Sequence, residues 1–279
     1  MRQDIKRIVS GVARQLAALP MKCLPPDWRA QVLERLDEEM ISNTSLPGGE
    51  MHFYAPFPLL RRRAASVFTK ETDTIRWIDS FEEDAVMWDI GANVGIFSLY
   101  AAIRRNVKVL AFEPSSVNFH ILARNIQLNR LGDRVTAYCL AFDDRTRLGV
   151  LNFVSYEAGS ALSQFGAPGE KSRWTSKTAE FVHGMIGFRV DDFVERYNPR
   201  FPQHLKLDVD GIEIPILEGA SATLRDPRLR SVMVELDLDH DAERQRAVSL
   251  LENAGLKFKT QGEVQATDTA RGANHLFVR

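Results

Sequence analysis

From Ala85 onward, short apolar runs alternate with stretches in which apolar residues recur every three or four positions. The runs AVMWDI (85–90), VKVLAFE (107–113), VTAYCLAF (135–142), HLKLDVD (204–210) and SVMVELD (231–237) predict strands. The stretches VGIFSLYAAIRR (94–105), SVNFHILARNIQLN (116–129), DDFVERY (191–197), IPILEGASATL (214–224) and AERQRAVSLLENAG (242–255) predict helices, the last closing at Gly255. GVLNFV (149–154) and GFRV (187–190) read as further extended pieces, and LKFKT (256–260) and HLFVR (275–279) as two closing strands. Strands with apolar residues on both faces must be covered on both sides, which implies a parallel sheet between helical layers. Right-handed crossovers then gather the strand C-termini along one edge, where such folds bind ligands.

Upstream, Ile5, Ile8, Val9, Val12, Leu16 and Leu19 fall at helical spacing among Arg2, Lys6, Arg7 and Arg14. Pro25 and Pro26 interrupt the pattern. Asp27 is placed to cap a second helix carrying Trp28, Val32, Leu33 and Leu36. SLPGG (45–49) ends this region, so residues 1–49 form a helical extension and residues 50–279 the main domain. The basic apolar-striped helix packs on its own domain or makes peripheral contact with a membrane surface. MHFYA (51–55) predicts a strand, and FPLLRRRAASVF (57–68) and KETDTIRWIDSF (70–81) helices leading into the sheet.

Composition narrows the classes. The chain has 279 residues, 44% apolar and 26% charged, as soluble globular proteins do. A formal net charge of −1 gives no basic field, which argues against nucleic acid as a partner. The two cysteines, Cys23 and Cys139, stand in no disulfide or zinc spacing, and Cys139, inside an apolar run, reads as buried packing. With no membrane-length apolar run and no secretory apolar core, a cytoplasmic location fits.

The chemistry concentrates in MWDIGANVGIFSLYAA (87–102). Asp89 falls at the C-terminal end of the first core strand, at the ligand edge. Gly91 and Asn93 form the turn, with Gly91 read as admitting a ligand close to the backbone. Gly95 opens a helix whose N-terminal amides favour an anionic group. The spacing is not G-x-G-x-x-G, so a dinucleotide fingerprint is absent. Glu113 ends the next strand and can accept hydrogen bonds from both hydroxyls of a ribose. Pro114 stops that strand, Ser115 caps the following helix, and Asp143 or its backbone is placed to meet an adenine edge. Together these predict a nucleoside cofactor.

WDIGANVGIFSLYAA, AFEPSSVNFHILARNI, HLKLDVDGIEIPILEGA and VMVEL, in that order, resemble the FkbM family of S-adenosylmethionine-dependent methyltransferases. The resemblance covers roughly Phe68 to the C-terminus. It implies α/β architecture of the class I methyltransferase Rossmann-like fold: a seven-stranded, mostly parallel sheet ending in an antiparallel hairpin. It also implies methyl transfer from S-adenosyl-L-methionine to a hydroxyl oxygen of a sugar, glycan or secondary metabolite. Asp89, Gly91, Asn93 and Gly95 would line the methionine half of the cofactor and Glu113 the ribose. One departure stands out: where the family pattern is K-I-D-V-E-G, this chain has Lys206, Leu207, Asp208, Val209, Asp210 and Gly211. Asp210 is one methylene shorter than the pattern's Glu, and Glu213 is near enough in sequence to compensate.

Methyl transfer to an alcohol needs in-line positioning and removal of the hydroxyl proton. Asp208, at the end of the fourth core strand, is the first candidate base. Lys206, on the same strand face, would orient or stabilise the alkoxide; alternatively the two form a buried structural pair. Glu235 is a further acid on this edge. Asp208, Asp210, Glu213 and Glu235 together could hold a divalent cation, although the reading adopts no metal. The segment from Glu157 to about Met185 reads as an irregular lid in which Ser160 and Trp174 would contact the acceptor. The histidines receive no role. The alternatives are a non-catalytic module retaining the cofactor fold, a methyltransferase for protein or nucleic acid (the latter without an N-P-P-[YF]-like motif), and a nicotinamide oxidoreductase.

Overall fold

A computed structural model describes residues 23–47, 49–161, 163–168, 179–266 and 271–279. The predicted helix over residues 5–19 therefore lies outside the described residues. The chain separates into two compact units, Met1–Ile41 and Ser42–Arg279. In the first, α1 (Pro26–Glu38) begins with Pro26 in its first turn. Pro25 occupies the cap position and Asp27 sits inside the first turn without capping, because a proline pair already presets the entry dihedrals.

The second unit opens with two paired strands, β1 (Ile41–Leu46) and β2 (Gly49–Tyr54), then α2 (Pro58–Ala65) and α3 (Thr72–Asp79). The alternation read from the sequence follows: β3 (Val86–Ile90), α4 (Ile96–Arg105), β4 (Lys108–Phe112), α5 (Ser116–Leu128) and β5 (Val135–Tyr138). Next come β6 (Ala141–Asp143), β7 (Arg147–Phe153), β8 (Ser163–Gly166), β9 (Phe181–Arg189) and α6 (Val190–Tyr197). The last stretch is β10 (His204–Leu207), α7 (Glu213–Gly219), α8 (Ser221–Arg225), β11 (Ser231–Asp237), α9 (Asp241–Asn253), β12 (Lys257–Gln261), β13 (Gln265–Ala266) and β14 (Arg271–Val278).

The main sheet runs β12-β14-β11-β10-β3-β4-β5, with the two-residue β13 also on β14. Five central strands are parallel; β14 is antiparallel to both β11 and β12. This is the class I Rossmann-like sheet with its terminal hairpin. Both faces are covered, as the apolar runs require. Met87 and Val109 face a core with Leu99, Ala101 and Leu122 from α4 and α5. Trp88 and Phe112 face the other way into an aromatic cluster with Phe142 and Phe193, ring centroids 4.8–5.9 Å apart apart from a wider Trp88–Phe142 stack.

Strand order reverses between β3 and β10, and the crevice at their C-terminal ends is the topological switch point. The β3–β10 register sets Asp89 beside Lys206, and the Asp208 amide bonds the Ile90 carbonyl at 3.0 Å. The β11–β14 register sets Glu235 beside Asn274.

A second sheet, ordered β6-β9-β7-β8, departs from the sequence reading. VTAYCLAF is two strands: β5 belongs to the main sheet and β6 to the second. The break falls at Cys139, which is exposed rather than buried. A continuous apolar run does not reveal that its halves serve different sheets. The segment read as irregular pairs as β7–β8 and β7–β9. Residues 169–178, including Trp174, lie outside the described residues. Among the described residues no helix is long and apolar enough to cross a membrane.

Candidate active site

At the switch point lies a cavity of about 400 Å³. Of the residues selected from the sequence, Gly91, Asn93, Glu113, Pro114, Ser160, Lys206, Asp208 and Glu235 line it, and Asp210 does as well. Asp89, Gly95, Ser115 and Asp143 do not.

The turn between β3 and α4 bends through three left-handed positions: Gly91 (φ 84°), Asn93 (φ 51°) and Gly95 (φ 88°). A Cβ on Gly91 would run into the Asp208 backbone carbonyl, and one on Gly95 into the Leu122 side chain. Gly91 is thus required by the approach of the β10 end, an explanation its place on the ligand edge did not suggest. Gly95 seats the turn on α5. Asp89 lies beneath the turn, 1% exposed, its Oδ2 accepting from Ser98 Oγ at 2.6 Å while Oδ1 is buried without a partner. Burial pushes its carboxyl up, against the pull of the Lys206 ammonium.

Glu113 is fixed by two backbone donors: Asn93 N–H to Oε2 at 2.7 Å and Ser115 N–H to Oε1 at 2.9 Å. Burial pushes its pKa up to about 7 despite those bonds. The Asn118 side chain also hydrogen-bonds this carboxyl, and the lone pairs left over can accept from a ligand hydroxyl. Ser115 caps α5, its Oγ accepting from the Asn118 amide. Asp143 pairs with Arg147 Nε at 2.7 Å, and the cavity wall there is Leu140, Ala141 and Phe142 instead.

Asn118 was not singled out by the sequence. It fastens a strap across the cavity: its Oδ1 accepts from Gly159 N at 2.7 Å and its Nδ2 donates to Ser160 O at 3.1 Å. Asn93 Nδ2 donates to the same carbonyl at 3.1 Å, leaving Asn93 Oδ1 buried and unpartnered. Arg63 Nε bonds Gly159 O at 2.6 Å.

The floor is a charged cluster. Lys206, 1% exposed, places Nζ 2.5 Å from Asp208 Oδ2 and 5.0 Å from the centre of the Phe97 ring. Burial would depress the ammonium's pKa, but Asp208, Glu71 and Asp89 raise it above its ordinary value. Burial would raise Asp208; Lys206 and a hydrogen bond from Glu235 hold it below the usual range. Burial and the neighbouring Asp208 push Glu235 well above that range. Glu71 also faces this cluster, raised by burial and drawn back by Lys206, with Thr74 Oγ1 and Asn274 Nδ2 each 3.4 Å from its Oε2. Glu71 carries no local sequence signal; only the sheet brings it there.

Asp210 has φ 39°, beside Gly211 at φ 96°. Asp occupies left-handed backbone more readily than Glu, which accounts physically for the shorter side chain. Glu213 does not compensate: it accepts from Gly211 N at 3.1 Å and lines a separate cavity with Asp237 and His240. Among the described residues no three His, Cys, Asp or Glu side chains are arranged to hold a metal ion, and Asp208 faces an ammonium.

The model of the methyltransferase FkbM domain matches residues 89–258. The chain belongs to the FkbM methyltransferase family. This FkbM-family chain is 28% identical over 173 residues to the hexuronic acid methyltransferase AglP of Haloferax volcanii, covering 61% of this chain and 64% of AglP. The chain therefore spans just under two thirds of that relative. It is 29% identical over 192 residues to the 31-O-demethyl-FK506 methyltransferase FkbM of Streptomyces tacrolimicus, covering 61% and 72%. Among solved structures it is similar to precorrin-6y C5,15-methyltransferase from Geobacter metallireducens, at 13% identity and TM-score 0.44, covering 75% and 86%. The family match begins at Asp89, so the cavity wall from α2 and the segment from Ser66 to Glu71 lies outside it.

Proposed function

We propose that the protein transfers a methyl group from S-adenosylmethionine to a hydroxyl oxygen of a sugar, glycan or secondary metabolite. The observation that carries this reading is one cavity lined by both the Glu113–Asn93 cradle and the Lys206–Asp208 pair. The residues present suit the cofactor. Glu113 offers acceptors for a ribose diol, Leu140 and Phe142 an apolar wall for a base, and the buried Asn93 Oδ1 an acceptor for an ammonium. When bound, S-adenosylmethionine supplies an electrophilic methyl on a sulfonium.

This chain's own groups then do the rest. Asp208, held ionised by Lys206, takes the proton from the attacking hydroxyl; Glu235 donates to Asp208 and fixes its orientation. Lys206, held charged, steadies the oxygen as it loses its proton. An ionised carboxylate at this place favours a hydroxyl acceptor, which must be deprotonated, over a carboxylate, which need not be. One relative is named for a hexuronic acid, which offers both hydroxyls and a carboxylate, and another for 31-O-demethyl-FK506, a name that specifies an oxygen acceptor.

Isothermal titration with S-adenosylhomocysteine and with NAD⁺, followed by methyl transfer from labelled S-adenosylmethionine to a panel of glycosides, tests the proposal. Uptake of S-adenosylhomocysteine but not NAD⁺, with label reaching a hydroxyl, is expected. Binding of the nucleoside without turnover on any acceptor would favour a non-catalytic module.

A further inference from the structure

Leu59, Arg62, Arg63 and Ser66 line the cavity at i, i+3, i+4 and i+7, so one face of α2 and its cap forms part of the wall. Two consecutive arginines on that face are chemically conspicuous. Elsewhere Arg104, Arg134, Arg147, Arg189 and Arg230 each reach a carboxylate within 4 Å. Among the described residues, Arg62 and Arg63 reach none. Arg63 spends only Nε on the Gly159 carbonyl, which leaves its terminal amino groups available and fixes the guanidinium against the strap. Arg62 is exposed at the mouth. The floor does not supply a counterion: Asp208 is already paired with Lys206. A planar guanidinium pair facing a cavity suits a carboxylate or phosphate, which it can bind bidentately.

We propose that Arg62 and Arg63 form an anion subsite at the cavity mouth, so that the methyl acceptor is a hydroxyl compound that also carries a carboxylate or phosphate. This deepens the methyltransferase reading, on which its acceptor assignment rests. The subsite lies upstream of the stretch matched by the family, where acceptor choice can vary without disturbing the cofactor cradle.

The test titrates the full chain, with and without saturating S-adenosylhomocysteine, with methyl β-D-glucuronide, methyl β-D-glucoside and inorganic phosphate, at low and high salt. The parent is expected to bind the glucuronide or phosphate at least ten-fold more tightly than the glucoside, with the preference shrinking in salt. Preference for the glucuronide over phosphate assigns a carboxylate acceptor class, and the reverse a phosphorylated one. Arg62→Gln and Arg63→Gln should each weaken anion binding about ten-fold and leave S-adenosylhomocysteine affinity unchanged. Arg62 donates no hydrogen bond that the fold depends on, so Arg62→Gln stays informative if the Arg63 variant unfolds. Equal binding of glucuronide and glucoside by the parent overturns the subsite. So does a parallel loss of S-adenosylhomocysteine affinity in Arg62→Gln, which would give the arginines to the cofactor's own carboxylate. Anion binding that depends on the arginines in a parent that takes up no S-adenosylhomocysteine supports the subsite and sinks the methyltransferase reading instead.

Discussion

At the scale of single residues, the cavity floor shows one cation organising several acids. Lys206 draws the pKa of Asp208 down while burial and Asp208 push that of Glu235 up, so two neighbouring carboxyl groups are driven in opposite directions. Asp208→Asn is expected to lower kcat by about 10²–10⁴-fold while S-adenosylhomocysteine affinity is retained. Because the substitution leaves Lys206 short of a partner, turnover is normalised to the fraction of protein that binds S-adenosylhomocysteine. Unchanged turnover would remove Asp208 from the role of base. Glu213 offers a pH test away from the cavity. Burial pushes its pKa up to about 7 from an ordinary value near 4.5. Between those values the native state holds a proton that the unfolded chain has released, so this group's contribution to stability falls as pH rises. Glu213→Gln carries no such proton. Its stability relative to the parent should therefore improve from pH 5 to pH 8, read by urea melts at both; a difference independent of pH would contradict the assignment.

At the scale of elements, α3 is held against the sheet by a polar clasp as well as by packing. Trp77 Nε1 donates to Ser231 Oγ at 2.9 Å, and Ser231 Oγ lies 2.8 Å from His204 Nδ1. The serine hydroxyl, with one proton and two lone pairs, can take the indole's bond and still pair with a neutral His204 in either tautomer. Burial above all pushes His204 down to about 4, in agreement with a neutral ring, and Phe81 stacks on it at 3.8 Å. Ser231→Ala would strand both partners in the core. It is expected to cost about 1–3 kcal/mol of unfolding free energy, measured by denaturant melts. Since Glu71 lies in the residue pair leading into α3, a loosened clasp should also weaken acceptor binding more than cofactor binding. The sequence announced α3 through its apolar spacing, but not its partners: Trp77 and Ser231 are 154 positions apart.

At the scale of the whole molecule, a ligand that binds only the native state stabilises all of it. S-adenosylhomocysteine at 100 times its dissociation constant should raise the unfolding free energy by about 2.7 kcal/mol, while NAD⁺ at the same concentration should leave the melting curve in place. A shift with NAD⁺ alone would restore the oxidoreductase reading. The sequence by itself determined the central strands and helices, because burial on both faces of a parallel sheet writes continuous apolar runs such as VMWDI and VLAF, and helical packing writes a periodic face. It also determined where the glycine turn and Glu113 lie, since chain direction alone puts them at the strand ends. Only the tertiary structure decided that VTAYCLAF divides between two sheets, that Asp143 turns to Arg147, and that Glu71 and Asn274, 203 positions apart, complete the floor around Lys206. The reason is physical: local patterns record which side chains leave water, whereas strand order and register decide which of them meet.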